Sequence, residues 1–250
     1  MDELAQDLAN YLIDRLKDLS SRIDNFSRLL VGISGIPASG KSTLAELVVN
    51  KVNEAAHNSD PSFPGPGILI GLDGWHLTRA QLNAMPDPKL AHDRRGAHWT
   101  FDGNGYVAFV KSIRGRLSTD LANQRVIRAP IFDHATKDPE PDTVVVLPAH
   151  RLVVIEGLYT FLSIDPWVRA GELLDERWFI DIDIEEATRR LVKRHVLTGV
   201  AKDVKEALWR AETSDMPNGL FVMEKMLEPT RRIKSPNDPL FRNAVEHEPE

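Results

Sequence analysis

The sequence contains no cysteine among its 250 residues. Disulfide bonds, thiolate nucleophiles and zinc sites with cysteine ligands are therefore excluded. It also lacks an excess of basic residues, because 37 acids outnumber 31 lysines and arginines and leave a formal net charge of −6. General nucleic-acid binding depends on cationic side chains that neutralise phosphates, so we expect no nucleic-acid partner.

No long apolar segment is present either. The longest apolar stretch, residues 143–157 (TVVVLPAHRLVVIEG), is interrupted by Pro148, His150 and Arg151. A membrane-spanning helix needs about 20 consecutive, mostly apolar residues, so we expect no membrane segment. The first ten residues carry three acids and no base, which argues against a secretory signal and a mitochondrial presequence. These features favour a cytoplasmic protein.

The order of the apolar segments predicts an α/β protein with a mostly parallel sheet between two helical layers. Short apolar runs typical of buried parallel strands alternate with helical patterns. These runs are RLLVGIS (28–34), ILIGLD (68–73), RLVVIEG (151–157) and RWFIDID (177–183).

Three regions complete the predicted organisation. Residues 1–27 are predicted to form an N-terminal helix that packs on the core, and residues 28–240 to form the main domain. Within that domain, the long polar segment 83–105 is suited to covering a small substrate, since loops of this length are usually functional or disordered. Residues 241–250 are predicted to be a frayed tail.

A phosphate-binding loop is predicted at residues 35–43 (GIPASGKST), which match G-x-x-x-x-G-K-[ST] in full. A predicted strand precedes the motif and a predicted helix follows it, as this loop requires. The two glycines permit a tight turn whose N–H groups converge on an oxyanion, and the helix N-terminus adds positive potential. The lysine neutralises the β- and γ-phosphates, and the first hydroxyl after it ligates Mg²⁺. We therefore expect bound nucleoside triphosphate and Mg²⁺, with contacts from Gly35, Ile36, Pro37, Ala38, Ser39, Gly40, Lys41, Ser42 and Thr43.

Two acids follow predicted strands, Asp73 after ILIGL and Glu156 after LVVI. Ligands of parallel sheets bind at the carboxyl ends of the strands, so both side chains are expected to face the nucleotide. A carboxylate there can accept a hydroxyl proton or hold metal-bound water. The Asn-Lys-x-Asp motif of GTPase switches is absent, and the polar segment after Asp73 favours a kinase over a switch or a motor.

Six motifs in order resemble the superfamily of uridine kinases, phosphoribulokinases and pantothenate kinases. They are GIPASGKST, GLDGWHLTR, RRGAHWTFD, APIFDHATKDP, VVIEGLYTFL and RLVKRHVLTG. Together they cover about residues 28–235, and the chain most resembles the uridine-kinase-like branch of bacterial and fungal kinases. The resemblance implies the three-layer P-loop fold with a helical lid over residues 185–200.

The resemblance also implies specific roles. Asp73 would accept the proton of the acceptor hydroxyl, and Glu156 would lie near Mg²⁺ together with Ser42. Arg190 and Arg194 would be lid arginines that act with Lys41 on the transferring phosphoryl group. The residues that would contact the acceptor are Trp75, His76, Arg94, Arg95, Phe132, Asp133 and His134.

These observations predict an ATP-dependent kinase for a small hydroxylated metabolite. Nucleosides, pantothenate-like acids, sugars and sugar phosphates all remain open as acceptors. The alternatives are an ATP-binding regulatory protein of the same fold without phosphotransfer, and a substrate-independent ATPase.

Overall fold

A computed structural model describes residues 1–22, 27–58, 63–115 and 126–235. The strands are β1 (Leu29–Gly35), β2 (Gly67–Gly71), β3 (Ile127–Asp133), β4 (Asp138–Val146), β5 (Leu152–Glu156), β6 (Glu176–Asp181) and β7 (Arg231–Lys234). The α-helices are α1 (Asp2–Arg22), α2 (Lys41–Asn58), α3 (Arg79–Asn83), α4 (Pro88–Asp93), α5 (Gly103–Arg114), α6 (Val168–Gly171), α7 (Ile184–Leu197), α8 (Val204–Arg210) and α9 (Met216–Lys225). The predicted tail at 241–250 lies outside the described residues.

The main sheet is parallel, with strand order β2-β5-β1-β6-β7. Strand β1 lies at its centre, and every one of its residues is buried. Glu156, the last residue of β5, pairs with Ile33 of β1 and with Gly71 of β2. The ends of these strands therefore meet at one edge of the sheet, where the phosphate loop begins.

The two faces of the sheet bury different apolar clusters. Leu29, Val31 and Ile33 of β1 pack in a cluster with side chains of α1 and α2. Leu30, which points to the opposite face, packs in a second cluster with side chains of α5. This alternation follows from the two-residue period of a strand. The predicted three-layer α/β fold is confirmed.

Helix α1 lies against α2 in the first of these clusters. Its Leu8, Leu12 and Leu16 are fully buried or nearly so. Full burial of one such side chain stabilises the fold by roughly 1.5–3 kcal/mol. Tyr11 packs against the same cluster, and its hydroxyl donates a hydrogen bond to Glu176 of β6 at 2.7 Å.

Strands β3 and β4 form a separate antiparallel hairpin. The hairpin packs on a 3-10 turn at Leu72–Trp75, directly after β2. A Cβ at Gly74 would collide with the carbonyl group of Pro130, so only glycine permits this approach. The hairpin is thus held close to Asp73 in the middle of the turn.

The segment 83–105 folds largely into short helices. Thr78 caps α3 in a capping box with Gln81, and the Asp87 side chain caps α4 with Pro88 at its first turn. A 3-10 turn follows at His98–Thr100. The predicted covering segment therefore has local structure of its own.

The helical segment from α7 to α9 contacts the phosphate loop. Leu191, Ala211 and Met216 form a small apolar cluster against which Ala38 of the loop packs. A π-helical turn at Ala211–Asp215 joins α8 to α9. No helix among the described residues combines the length and the apolar content needed to cross a membrane.

Candidate active site

The phosphate loop has the backbone geometry that an oxyanion cradle needs. Gly40 has a φ of 88° and Ala38 a φ of 62°, both in the left-handed region. A Cβ at Gly35 would lie 2.6 Å from Ser39 Oγ, so a side chain there would force the loop open. Helix α2 begins at Lys41, and its N-terminal N–H groups face the same space.

Four predicted site residues come together at the edge of the sheet: Lys41, Ser42, Asp73 and Glu156. The Ser42 hydroxyl donates a hydrogen bond to Glu156 Oε2 at 3.0 Å. Burial raises the pKa of Glu156 above its ordinary value, and the charge of Asp73 raises it further. Lys41 and the Ser42 hydrogen bond act in the opposite direction. Glu156 is therefore close to all three partners.

The donor atoms at this place fit a Mg²⁺ ion that also binds nucleotide phosphates. They are one hydroxyl and one carboxylate, both oxygen ligands of the kind Mg²⁺ prefers. No cluster of three or more His, Asp or Glu side chains suited to a metal occurs in residues 1–22, 27–58, 63–115 and 126–235. A Mg²⁺ ion that keeps several water ligands and binds phosphate oxygens needs no such cluster.

Asp73 projects from the 3-10 turn after β2, with 57% of its side chain exposed. The turn buries Leu72 and Trp75 on either side and leaves the carboxylate outside the core. The carbonyl oxygen of Asp73 accepts a hydrogen bond from the His76 N–H at 3.1 Å. An accessible carboxylate at this position can reach an acceptor hydroxyl.

An aromatic wall lies beside Asp73. The His76 ring packs against Phe101 at a tilt of 35° with centroids 3.9 Å apart, and it lies 4.8 Å from the Phe132 ring. The His134 ring packs edge-on against Phe132 with centroids 5.2 Å apart. Burial lowers the pKa of His76, although Asp73 opposes this effect. His76 is accordingly neutral near pH 7.

Trp75 lies in the core and is only 6% exposed. Its ring packs on Tyr106 and Phe109 with centroid distances of 5.5 and 5.0 Å. The sequence prediction grouped Trp75 with His76 at the acceptor pocket. The 3-10 turn separates them, because successive residues of such a turn point in different directions.

Asp133 is engaged within the hairpin turn between β3 and β4. Its carboxylate accepts hydrogen bonds from the Ala135 N–H and from the Thr136 hydroxyl, each at 2.8 Å. These bonds lower the pKa of Asp133, the one from Ala135 most strongly. The contacts of Asp133 in the structure therefore shape the turn that carries Phe132 and His134.

The adjacent arginines Arg94 and Arg95 have different surroundings. Arg95 donates hydrogen bonds to the carbonyl oxygens of Lys137 (2.6 Å) and Leu77 (2.8 Å), and it pairs with Asp138 at 3.0 Å. It ties the hairpin to the segment after Asp73. The half-buried Arg94 has no side-chain hydrogen bond or ion pair within the described parts of the chain, and its Nε atom is buried without a partner.

The two predicted lid arginines on α7 also differ. Arg190 is 4% exposed and donates hydrogen bonds to Glu186 at 2.7 Å and to Ser235 at 3.1 Å. The Ser235 hydroxyl in turn donates to the carbonyl oxygen of Ser39 in the phosphate loop, at 2.8 Å. Arg194 is exposed and lies close enough to Asp215 to affect its ionisation.

Asp215 is a candidate site residue to which the sequence analysis assigned no role. It ends the π-helical turn, and its Oδ2 atom lies 3.8 Å from Nε2 of the buried His195. Burial raises the pKa of Asp215 to about 6, although Arg194, Arg210 and Lys41 favour its charged form. Its carboxylate therefore lies within electrostatic range of Lys41 in the phosphate loop. Neither a motif nor a periodic pattern marks such a turn, although π-helical turns often occur at functional sites.

The Asp215 segment is fixed against the loop by close packing. A Cβ at Gly219, one turn into α9, would lie 3.1 Å from atoms of both Ile36 and Pro37. The backbone of α9 at Gly219 therefore packs closely against the side chains of Ile36 and Pro37 in the phosphate loop. This contact holds the π-helical turn beside the nucleotide site.

Comparison with known proteins gives a family for these features. Residues 30–199 match the model of the Phosphoribulokinase / Uridine kinase family. The chain is 46% identical over 156 residues to the ATP-dependent kinase-like protein notR' of Aspergillus versicolor, an alignment that covers 62% of this chain and 89% of that protein. It is 31% identical over 227 residues to "Putative uridine kinase C227.14" of Schizosaccharomyces pombe, and 90% of each chain is covered.

The fold is also similar to that of a solved structure. The crystal structure of YFH7 from Saccharomyces cerevisiae superposes with a TM-score of 0.76 and 23% sequence identity. The superposition covers 92% of this chain and 99% of that chain. At this level of identity the likeness shows the fold alone.

Proposed function

The chain belongs to the Phosphoribulokinase / Uridine kinase family, and on that premise we propose that it transfers the γ-phosphoryl group of ATP to a hydroxyl group of a small metabolite. One observation carries the proposal. The exposed carboxylate of Asp73 lies at the same sheet edge as Lys41 and as Glu156, which accepts the hydrogen bond of Ser42. In a kinase such a carboxylate acts on the acceptor hydroxyl, whereas in a hydrolase it would act on water.

The residues of the loop bind the donor in this proposal. N–H groups of residues 35–42 surround the β-phosphate, and Lys41 neutralises charge on the β- and γ-phosphates. Ser42 and Glu156 would hold Mg²⁺, which when bound neutralises phosphate charge and helps align the transferring group.

Asp73 acts on the acceptor. The acceptor hydroxyl gives its proton to the Asp73 carboxylate as its oxygen forms a bond to the γ-phosphorus. The bond between that phosphorus and the bridging oxygen breaks, and ADP leaves with the electron pair. The aromatic wall of His76, Phe101, Phe132 and His134 bounds the pocket on one side and excludes water, which would compete as acceptor.

The two lid arginines have separate tasks in this scheme. Arg194, which is exposed near Asp215 and Lys41, stabilises negative charge on the transferring group. Arg190 positions the loop, since it holds Ser235 and Ser235 holds the Ser39 carbonyl group. The reaction takes place in the cytoplasm, where ATP and small metabolites occur together, and requires neither nucleic acid nor a membrane.

An ATP-consumption screen over nucleosides, vitamins, sugars, hydroxy acids and sugar phosphates tests the proposal. The phosphorylated product is identified by mass spectrometry. Asp73→Asn is expected to leave ATP binding intact and to lower transfer by two or more orders of magnitude, which is about what general-base catalysis supplies. Asp14→Asn is the matched control, because the Asp14 side chain is 80% exposed on α1.

Three outcomes would contradict the proposal. Unchanged transfer in Asp73→Asn would remove Asp73 as the base. ADP formation that does not depend on any acceptor would indicate a hydrolytic ATPase. ATP binding without turnover across the whole screen, with Asp73→Asn equal to the unaltered protein, would indicate a regulatory protein.

A further inference from the structure

Arg94 is a cation without a counter-ion at the acceptor side of the site. Among the described residues its side chain makes no hydrogen bond or ion pair, and its Nε atom is buried. A buried donor that lacks a partner costs roughly 1–3 kcal/mol, and more when the group is charged. Native proteins rarely retain such a group unless a ligand or water completes it.

The neighbouring Arg95 also has a buried Nε atom without a partner, but its terminal nitrogens are hydrogen-bonded. Asp138 pairs with both Arg95 at 3.0 Å and Arg79 at 3.4 Å. Two carbonyl oxygens also accept hydrogen bonds from the terminal nitrogens of Arg95. Asp138 is thus paired with other guanidinium groups, and Arg94 has no ion pair among the described residues.

The backbone holds Arg94 in a defined place. Its N–H donates to the carbonyl oxygen of Leu90 at 2.9 Å, which closes the end of α4. Two residues later, the Gly96 carbonyl oxygen accepts a hydrogen bond from the Tyr159 hydroxyl at 2.7 Å, and the Gly96 N–H donates to Thr100 Oγ1 at 3.0 Å. The backbone of residues 94–96 is therefore fixed beside Tyr159, three residues beyond Glu156.

Tyr159 locates Arg94 relative to the catalytic edge. The charges of Arg94, Asp73 and Asp215 all reach the Tyr159 hydroxyl, Arg94 favouring its ionised form and the two acids opposing it. Arg94 and Asp73 therefore both lie within electrostatic range of the Tyr159 hydroxyl. An acceptor whose hydroxyl is at Asp73 can extend its other end towards Arg94.

We propose that Arg94 binds an anionic group of the acceptor, so that the substrate is a hydroxylated carboxylate or a hydroxylated phosphate ester. This inference rests on the proposed kinase function and narrows its substrate class. A guanidinium group matches the two oxygens of a carboxylate or a phosphate in a bidentate pair. The anion would lie at the end away from Asp73, because the Asp73 carboxylate repels it. A neutral acceptor leaves the buried Nε without a partner, and this loss discriminates against nucleosides and simple sugars.

Matched acceptor pairs test the substrate class. Glycerate is compared with glycerol, pantothenate with pantothenol, and ribose 5-phosphate with ribose, with transfer followed as ADP release and product mass. The first two pairs report a carboxylate and the third a phosphate ester. We expect transfer to an anionic member at a kcat/KM roughly 10- to 100-fold above that for its neutral partner, the range that one charged hydrogen-bonded contact supplies.

Variants of Arg94 connect the preference to this residue. Arg94→Gln should raise the KM for the anionic acceptor roughly 10- to 100-fold and leave the KM for ATP unchanged. Arg94→Lys, which keeps the charge but loses the planar fork, should retain part of the affinity. Arg169→Gln is the control, since Arg169 is 55% exposed and pairs with Asp165 on the surface.

A binding measurement keeps the inference testable apart from turnover. The melting temperature of the Mg·ADP-loaded protein is recorded with glycerate, pantothenate and ribose 5-phosphate, so that the phosphate loop is already filled. At least one anion should raise the melting temperature of the unaltered protein and of Arg169→Gln, but not that of Arg94→Gln.

The two measurements separate the two proposals. Equal or better transfer to neutral acceptors, no shift with any of the three anions, or a shift that persists in Arg94→Gln would each overturn the anionic substrate class. Acceptor-independent ADP formation alongside an Arg94-dependent shift would overturn the kinase proposal and leave the anion site in place.

Discussion

Replacement of Asp215 by asparagine should stabilise the protein at neutral and alkaline pH. Asp215 ends the π-helical turn within electrostatic range of Lys41, and burial raises its pKa to about 6 from an ordinary value of 3.8. A carboxyl group with a raised pKa binds its proton more tightly in the folded than in the unfolded state. Stability therefore falls as pH rises from about 4 to about 6, and the full penalty is present above pH 6.

The size of this penalty follows from the interval between the two pKa values. Each pKa unit corresponds to 1.36 kcal/mol, so the difference between 3.8 and about 6 lowers the free energy of unfolding by about 3 kcal/mol. Since 31% of the side chain is exposed, solvent reduces the effect, and we expect about 2 kcal/mol. For a chain of this length, that difference raises the melting temperature by about 4–8 °C.

Urea unfolding of Asp215→Asn and of the unaltered protein, from pH 4 to pH 8, measures the effect. The variant should be more stable by about 2 kcal/mol at pH 8, and the difference should shrink to near zero at pH 4, where Asp215 is protonated. The difference between the two curves cancels groups that titrate equally in both proteins. The contribution of His195 does not cancel in this way, because His195 lies 3.8 Å from Asp215 and burial lowers the pKa of His195.

The same comparison in a His195→Gln background removes the titration of His195. The pKa of His195 is lowered in the folded state, so its contribution to stability rises with pH up to the ordinary histidine pKa of 6.5. This pH dependence is opposite in sign to that of Asp215. The pH-dependent gain from Asp215→Asn should persist in this background. A gain that is absent at pH 8, or that is the same at every pH, would refute the account of Asp215 as a buried carboxylate held beside Lys41.

Three further predictions follow from the geometry. Gly35→Ala should abolish ATP binding in a nucleotide-titration assay and destabilise the protein by about 1–3 kcal/mol. The reason is that the new Cβ would lie 2.6 Å from Ser39 Oγ. Retained affinity for ATP would contradict the loop geometry. Ser42→Ala should raise the Mg²⁺ concentration required for half-maximal activity. The substitution removes the hydroxyl proposed to bind Mg²⁺ and its 3.0 Å hydrogen bond to Glu156. An unchanged Mg²⁺ dependence would argue against the metal assignment. Leu12→Ala should cost about 2–5 kcal/mol in urea unfolding while the KM for ATP stays constant, because Leu12 of α1 is fully buried in the apolar core and is not a predicted site residue. A changed KM would contradict a purely structural role for α1.

Much of the fold could be predicted from local patterns. The apolar runs that became β1, β2, β5 and β6 are each followed by the glycine loop or by an acid, and their alternation with helices implies a parallel sheet. The strand order was not predictable in the same way. It depends on which strands pair across long crossovers, and β5 lies between β1 and β2 although it follows them in sequence.

The candidate site was predictable where a motif carries its own geometry. Lys41 and Ser42 belong to one loop, and Asp73 and Glu156 follow strands whose ends meet at one edge. Neighbouring residues outside such motifs were not distinguished. Trp75 enters the core while His76 lines the wall, because the turn after β2 rotates them apart.

The amino-acid sequence by itself determined the nucleotide loop, the acids at the strand ends and the class of fold, because each depends on residues near one another in the chain. Only the tertiary structure decided which charges are neutralised. Asp138, 43 residues away, pairs with Arg95 and leaves Arg94 without a partner among the described residues. Folding likewise brings Asp215 to Lys41. Electrostatic neutralisation depends on distance in space, and that distance is set by packing between segments remote in sequence.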